Sequence, residues 1–323
     1  MSGTHHILAA RPDPSLLSLV IPVYNEAEVL PTLFDQVAGL LAQLPCPGEV
    51  VFVNDGSRDR SLELLRDAAL RDPRCKVVSL ARNFGHQIAA TAGLDAARGD
   101  AVVLMDADLQ DPPELVPEMI GQYRLGYDVV YAQRTRRTGE SIFKRASAWL
   151  FYRVMRLLVY KDLQPDVGDF RLISRRCLDA LRQMREMHRF LRGMVAWVGF
   201  PQVGVPFVRP PRAAGRTKYS LAGMVRLAWT AALSFSPLPL RLSLVLGVLM
   251  LGVGLAYGIY GTVEYVLGYP LVRGWFSLIV LNCLGWGTTM MAIGILGEYV
   301  ARIYEEIKGR PLYLIADTWN LDK

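Results

Sequence analysis

The chain has 323 residues, enough for one large domain or two smaller ones, and 52% of them are hydrophobic. The net charge of +6 argues against nucleic acid as a partner, because the basic residues gather just before a C-terminal apolar region and suit an anionic membrane face; ordinary solvated charge is the alternative. The four cysteines lack the spacing of metal ligands, and the N-terminal stretch MSGTHHILAARPDP has no apolar core of a signal peptide.

Residues 15 to about 135 alternate between short, apolar, β-rich runs and helical stretches. This alternation predicts an α/β fold with a largely parallel sheet and helices on both faces. The predicted strands are LSLVIPV, GEVVFVN, KVVSL, AVVLM and DVVYA. The helical stretches between them are EAEVLPTLFDQVAGLLAQL, DRSLELLRDAAL, HQIAATAGLDAA and PPELVPEMIGQYRLG.

A polar motif follows each of the first four predicted strands. In chain order these are YNE (Tyr24–Glu26), NDGSRD (Asn54–Asp59), ARNFGH (Ala81–His86) and DADLQD (Asp106–Asp111). Ligands of open α/β sheets bind beyond the carboxyl ends of the strands, so the four motifs predict one site. The chain has neither a Gly-x-Gly-x-x-Gly motif after the first strand nor a Gly-x-x-x-x-Gly-Lys loop, so phosphate must be held in another way.

The fourth motif predicts a metal site. Asp106, Asp108 and Gln110 alternate on an extended segment and offer hard oxygen ligands, which suit Mg²⁺ or Mn²⁺. Many surface turns carry an isolated Asp-x-Asp, so this prediction depends on the apolar strand before it and on the three companion motifs. So much like charge in one place costs stability unless a cation lies among the carboxylates.

Two segments have the pattern of amphipathic helices at a membrane surface. SIFKRASAWLFYRVMRLLVY (residues 141–160) has apolar residues at three- and four-residue steps with cations among and beside them. YSLAGMVRLAWTAALSF (residues 219–235) is the second candidate. The alternative is that both segments pack on the sheet.

Two long stretches near the C-terminus contain no charged residue. They have 22 residues between Arg241 and Glu264 and 24 between Arg273 and Glu298, enough for helices of roughly 30–36 Å that match a bilayer core. We therefore predict a two-span hairpin rather than a pair of buried core helices. The cations outside it place the N-terminal part and both termini in the cytoplasm. The predicted divisions are an extension (1–16), a catalytic domain (17–218), a juxtamembrane segment (219–240), the hairpin (241–298, with spans at about 242–263 and 275–297) and a C-terminal segment (299–323).

Eight motifs, taken together, resemble the polyprenyl-phosphate glycosyltransferases of the GT-A fold. The likeness covers roughly residues 17 to 313 and fits the two-span bacterial branch, and within it the bactoprenol glucosyltransferases, better than the single-domain dolichol-phosphate mannose synthases. The matching motifs are VIPVYNE, VNDGSRD, LARNFGHQIAA, DADLQDPPE, GDFRL, HRFLRGMVAWVGF, RTKYS and GEYVARIYEEIKGRPLY.

The resemblance implies a role for individual residues. Those assigned to the donor nucleotide sugar are Pro22, Tyr24, Glu26 and Asp55 at the nucleoside, Asp106, Asp108 and Gln110 through Mg²⁺ or Mn²⁺ at the diphosphate, and Arg216 and Lys218 on the loop that closes over it. Arg134 and Arg145 match positions that hold the lipid phosphate. Three of these have plainer alternatives: Tyr24 as a packing residue, Arg145 as a membrane-facing cation and Lys218 as a solvated lysine.

The resemblance also implies a reaction. A sugar, with UDP-glucose as the favoured donor, is transferred with inversion to undecaprenyl or another polyprenyl phosphate at the cytoplasmic face of the bacterial inner membrane. The resemblance also implies that the enzyme is a homo-oligomer. The acceptor phosphate is already an anion at pH 7, so a general base is largely unnecessary. Asp169, in GDFRL, is a candidate base or acceptor-orienting group; otherwise it binds a sugar hydroxyl or caps a turn.

Other functions stay open at this point. The same reaction with a UDP-aminoarabinose derivative, GDP-mannose or UDP-N-acetylglucosamine fits the same motifs. A processive polysaccharide synthase fits less well, because the Gln-x-x-Arg-Trp motif and further spans are absent. A non-catalytic protein that binds nucleotide sugars is the third alternative, and the intact acidic motif argues against it.

Overall fold

The computed structural model describes residues 8–134, 167–208, 238–267 and 274–321. These residues belong to two compact units. The described residues up to 208 and those from 311 onward form the first unit, and the described residues from 238 to 310 form the second. The second unit is therefore an insertion between two parts of the first.

An eight-stranded mixed sheet forms the centre of the first unit, in the order β7-β5-β6-β4-β1-β2-β3-β8. Strands β1 to β4 run parallel to their partners within that group, and β5 is parallel to β7, whereas β6 and β8 are antiparallel to their neighbours. The predicted α/β architecture with a mostly parallel sheet is confirmed. The strands are β1 (Leu17–Val23), β2 (Gly48–Asn54), β3 (Cys75–Leu80), β4 (Ala101–Leu104), β5 (Val129–Arg134), β6 (Val167–Ser174), β7 (Gln202–Phe207) and β8 (Ile315–Trp319).

Helices cover the sheet because each of them buries one apolar face against the strands. In the first helix, Leu33, Val37 and Leu40 recur at helical spacing and are buried in the core. The third helix crosses the strands closely at Gly93, where a Cβ atom would lie 2.4 Å from Cγ1 of Val20. The helices of this unit are α1 (Leu30–Gln43), α2 (Ser61–Arg71), α3 (His86–Ala96), α4 (Val116–Arg124), α5 (Arg175–Gln183) and α6 (Leu191–Val198), with a 3₁₀ turn at Pro113–Leu115.

The C-terminal strand β8 completes the sheet beside β3. The Nδ2 group of Asn320 donates to the carbonyl oxygens of Ala69 at 2.6 Å and of Cys75 at 2.8 Å, and Trp319 packs against the core. The hydroxyl of Tyr313 donates to Asp95 at 2.8 Å. The sequence did not predict this strand, because four of its five residues are exposed and it lacks the alternation of a half-buried strand.

The second unit contains two long helices, α7 (Leu238–Val266) and α8 (Trp275–Ile307). Within the described residues, Ser243–Val263 in α7 is the one stretch long and apolar enough to cross a membrane, with a mean hydropathy of 2.0. Ser243 is the one buried residue of that stretch, which is not the pattern of a core helix. The second predicted span lies in α8, and the two-span hairpin stays a prediction.

Some sequence predictions lie outside the described residues. These are the amphipathic segments at 141–160 and 219–235 and the candidate site residues Arg145, Arg216 and Lys218.

Candidate active site

The four polar motifs lie at one edge of the sheet. Strands β1 to β4 are parallel, so Val23, Asn54, Leu80 and Leu104 end side by side. The loops that follow these strands therefore meet, as the sequence predicted from the carboxyl-end rule.

The loop after β1 is hydrogen-bonded to the loop after β2. The backbone N–H of Asn25 donates to Oγ of Ser57, and that of Glu26 donates to Oγ of Ser61, each at 3.0 Å. Pro22 is buried within β1, and Tyr24 is exposed directly after it. Three of the predicted nucleoside contacts thus lie on a braced loop or on the strand that leads into it.

Asp55 ties the loop after β2 to the loop after β3. Its buried carboxylate accepts the backbone N–H groups of Phe84 at 2.7 Å and Gly85 at 3.0 Å. Burial raises the pKa of Asp55 despite these hydrogen bonds and the nearby charges of His86 and Arg82. Asp55 therefore holds the turn that starts α3 at His86, whatever else it binds.

Gly56→Ala is expected to disrupt this junction. Gly56 has a φ of +65°, and a Cβ there would lie 2.5 Å from the backbone carbon of Arg82 and 2.5 Å from the nitrogen of Asn83. The left-handed backbone and the clash together should destabilise the protein by about 2–4 kcal/mol. We expect weaker nucleotide binding and a lower Tm, measured by calorimetry and thermal unfolding.

Gly39→Ala in α1 is the matched control, because a Cβ atom added there would have no other atom within 4 Å. It should stabilise the helix by about 0.5–1 kcal/mol, and leave nucleotide affinity unchanged. If Gly56→Ala bound nucleotide as well as the control variant, the junction would not shape the nucleotide site.

The acidic motif after β4 forms a turn that is closed by its own carboxylates. The backbone N–H of Asp106 donates to Oδ2 of Asp111 at 2.9 Å, and that of Gln110 donates to Oδ1 of Asp108 at 3.2 Å. Leu109 takes a left-handed φ of 58° at the corner. Asp111 is buried, so this residue shapes the turn, and the predicted metal ligands Asp106, Asp108 and Gln110 lie on it.

Asp169 in β6 lies opposite this turn because of the strand register. Leu104 of β4 pairs with Arg171 of the antiparallel β6, so two further residues along each strand bring Asp106 and Asp169 to the same level. His86 lies between them: its Nε2 is 3.4 Å from Oδ1 of Asp106 and 3.5 Å from Oδ2 of Asp169. The sheet therefore brings together a histidine and two carboxylates from three separate motifs.

The charges in this cluster shift one another. Burial alone would lower the pKa of His86, but the hydrogen bond to Asp169 and the charges of Asp106 and Asp169 raise it to about 9. Burial raises the pKa of Asp106; His86 opposes this shift, whereas the charges of Asp169 and Asp108 add to it. These surroundings therefore disfavour the ionised form of the Asp106 carboxylate.

A divalent cation bound at Asp106 would offset this electrostatic cost. Within the described part of the chain, Oδ1 of Asp106 is buried and accepts no hydrogen bond, which leaves a hard oxygen atom available to a metal. Among the same residues, no three His, Cys, Asp or Glu side chains form a complete metal cage. Mg²⁺ and Mn²⁺ sites of this kind use one or two carboxylates and take their other ligands from substrate phosphates and water.

Asp169 is held by an ion pair with Arg192 of α6. The Nε of Arg192 lies 2.7 Å from Oδ1 and its Nη2 lies 3.2 Å from Oδ2 of Asp169. Gln87 adds a hydrogen bond from Nε2 to Oδ2 at 3.1 Å. Burial would raise the pKa of Asp169, but Arg192 and His86 hold it well below its usual range.

The sequence did not assign His86, Gln87, Asp111 or Arg192 to the site. His86 and Asp111 belong to motifs that were recognised there, and their spacing at strand ends could have identified them. Arg192 and Asp169 are 23 residues apart, so only the fold shows that they pair. Arg134 ends β5, and its side chain lies outside the described part of the chain.

Comparison with known proteins places this site in a family context. The model of the family described as Glycosyl transferase family 2 matches residues 18–182. The chain is 45% identical over 305 residues to the uncharacterized glycosyltransferase YkcC of Bacillus subtilis (strain 168), covering 94% of both chains. It is 38% identical over 300 residues to the bactoprenol glucosyl transferase of Shigella phage SfII, covering 93% of this chain and 97% of that protein.

A solved structure is similar over a smaller part of the chain. It is glucosyl-3-phosphoglycerate synthase from Mycobacterium tuberculosis in complex with phosphoglyceric acid, with a TM-score of 0.47 and 24% identity. The match covers 68% of this chain and 79% of that chain.

Proposed function

This chain belongs to glycosyl transferase family 2, its α/β architecture is the GT-A fold, and it is a glycosyltransferase. We propose from that premise that it transfers a sugar from a nucleotide sugar, with UDP-glucose favoured, to undecaprenyl or another polyprenyl phosphate, with inversion at the anomeric carbon. The similarity to bactoprenol glucosyl transferases over 93% of the chain supports glycosyl transfer to a lipid carrier.

One observation carries the donor half of the proposal: a buried, hydrogen-bond-free carboxylate oxygen of Asp106 lies at the sheet edge where the four motifs meet. Asp106 and Asp108, with Gln110, would hold Mg²⁺ or Mn²⁺. Such a cation neutralises the negative charge that develops on a leaving diphosphate. Pro22, Tyr24, Glu26 and Asp55 lie on or beside the braced loops where a nucleoside would bind.

The acceptor half depends on charge rather than on proton transfer. A polyprenyl phosphate is an anion at neutral pH and attacks as one, so it needs orientation and cations that reduce its repulsion from the donor. One charge pair at 4 Å contributes about 4 kcal/mol at an effective dielectric of 20. Arg134, Arg145 and Lys218 are the sequence candidates for this role, and Arg216 would join Lys218 over the diphosphate.

The position of the last strand supports the membrane half of the proposal. The chain leaves the sheet after β7 and rejoins the same sheet through β8, with α7 and α8 between them. A chain that leaves a folded unit and rejoins it must cross a membrane an even number of times. Two spans, in α7 and α8, with the catalytic unit in the cytoplasm, satisfy this condition.

A transfer assay tests the proposed function. Purified full-length protein in lipid nanodiscs would be given undecaprenyl phosphate and a panel of radiolabelled donors: UDP-glucose, UDP-N-acetylglucosamine, GDP-mannose and a UDP-aminoarabinose derivative. We expect metal-dependent transfer to the lipid, strongest from UDP-glucose. If the folded protein binds a nucleotide but labels no lipid from any donor, the proposal is wrong.

A further inference from the structure

We propose that Asp169 is a positioning residue, and that the group it positions, the guanidinium of Arg192, binds the phosphate of the acceptor. This inference rests on the proposed function, because it assigns a residue to the acceptor of that reaction. Of the two roles predicted for Asp169 from the sequence, it keeps that of an acceptor-orienting group and replaces that of a general base.

The hydrogen bonds of Asp169 favour a positioning role. Each of its two carboxylate oxygens accepts a hydrogen bond from Arg192: Oδ1 from Nε at 2.7 Å and Oδ2 from Nη2 at 3.2 Å. Such two-point pairs are the strongest between a guanidinium and a carboxylate. Oδ2 also accepts from Nε2 of Gln87. A base must be able to reach and take a proton from the acceptor, whereas these oxygens are directed at side chains of the protein.

The solvent exposure of Asp169 and Arg192 also favours a positioning role for Asp169. The side chain of Asp169 is 6% exposed, and that of Arg192 is 35% exposed. An anion that approaches from solvent therefore meets the guanidinium and not the carboxylate. A guanidinium can offer several N–H donors in one plane, so pairing on one side is compatible with phosphate on another.

The frame around Arg192 is rigid. Gln87, in the first turn of α3, donates to Asp169 and accepts the backbone N–H of Leu191 at 2.9 Å. Leu191 begins α6, so one glutamine side chain joins the first turns of two helices to the same carboxylate. The N-terminal ends of both helices carry partial positive charge, which adds to that of Arg192.

The charged side chains of the site are arranged in a series that has a place for the donor diphosphate at one end and for the acceptor phosphate at the other. Asp106, on the turn that would hold the donor's metal, is followed by His86, Asp169 and then Arg192, through contacts of 3.4, 3.5 and 2.7 Å. The donor diphosphate is compensated at the Asp106 end. Arg192 is the cation at the other end of this series. The acceptor phosphate would bind there, so each of the two anions would have its own positive charge.

The test separates the acceptor from the donor by steady-state kinetics on full-length protein in nanodiscs. Arg192→Gln should raise KM for undecaprenyl phosphate by about tenfold or more, the loss expected for one charge-assisted hydrogen bond, and leave KM for the nucleotide sugar unchanged. Arg192→Lys should restore part of the loss, because a lysine keeps the charge but not the planar fork.

Asp169→Asn distinguishes positioning from base catalysis. We expect it to raise the acceptor KM in the same direction, and the double variant with Arg192→Gln to be no worse than the more impaired single variant. A base would instead lower kcat at saturating acceptor with no change in acceptor KM, and that result would overturn the proposal. A rise in donor KM alone would overturn it as well.

The matched control is Arg185→Gln. Arg185 pairs with Asp95 at 2.7 Å, the same residue types at the same distance, but outside the site. Its acceptor KM should equal that of the wild type; an equal rise would show that the Arg192 effect is structural. Calorimetric binding of UDP checks that each variant is folded. If the wild type transfers no sugar to undecaprenyl phosphate, the proposed function itself fails, which is distinct from a wild type that transfers and an Arg192→Gln variant that transfers equally well.

Discussion

Asp106→Asn is expected to lower the rate of sugar transfer by about 10³-fold or more, because it removes the oxygen charge that would hold the divalent cation at the leaving diphosphate. The fold should survive. Burial, together with the charges of Asp169 and Asp108, raises the pKa of Asp106, so a neutral amide of the same shape removes an electrostatic cost at this position. Diphosphate release in the presence of undecaprenyl phosphate measures the loss.

A second readout separates loss of metal from loss of chemistry. The Mn²⁺ that binds together with UDP can be followed by electron paramagnetic resonance, and Asp106→Asn should bind it more weakly. Asp67→Asn is the control, since Asp67 is a half-exposed acid in α2, away from the site. Full activity with unchanged Mn²⁺ binding in the Asp106 variant would remove the metal assignment.

Truncation after Arg310 is the second large effect that we expect. It removes β8, the packing of Trp319 and the hydrogen bonds from Asn320 that hold the carbonyl groups at the end of α2 and the start of β3. It also exposes the edge of β3, a strand whose residues 77–80 are buried in the full chain. We expect the truncated protein to lose nucleotide binding and to aggregate, measured by yield and by size-exclusion chromatography in detergent.

Point variants in the same strand give a graded version of this test. Asn320→Ala leaves the chain intact but removes the amide that serves these carbonyl groups, and should cost about 1–3 kcal/mol, seen as a lower Tm. Asp317→Asn, at an exposed position of β8, should not change the Tm. A truncated protein that binds nucleotide and unfolds at the wild-type temperature would show that β8 is dispensable.

The parallel part of the sheet could be predicted because its signals are local. Each of β1 to β4 is an apolar run of four to seven residues, and the helices between them have clear periodicity. Since parallel strands end at one edge, the motifs of Tyr24, Asp55 and Asp106 could be placed together from sequence alone. The structure agrees with that placement.

The remaining features depend on contacts between distant residues. The pair Asp169–Arg192 requires the antiparallel register of β6 and the position of α6, neither of which has a sequence signal of its own. Strand β8 joins β3 across more than two hundred residues and is mostly exposed, so its side chains carry little pattern. Local propensity could not reveal either feature, because tertiary packing determines both.

The position of β8 also determines when the sheet can be completed during translation. The ribosome makes β7 and then roughly 110 more residues, including both long helices, before the last strand exists, a delay of about 6–22 s at ordinary elongation rates. The edge of β3 stays open throughout that interval. The enzyme therefore cannot mature ahead of its own long helices: the final strand docks only after they have left the ribosome, so a fully assembled catalytic sheet is always attached to a finished helical pair.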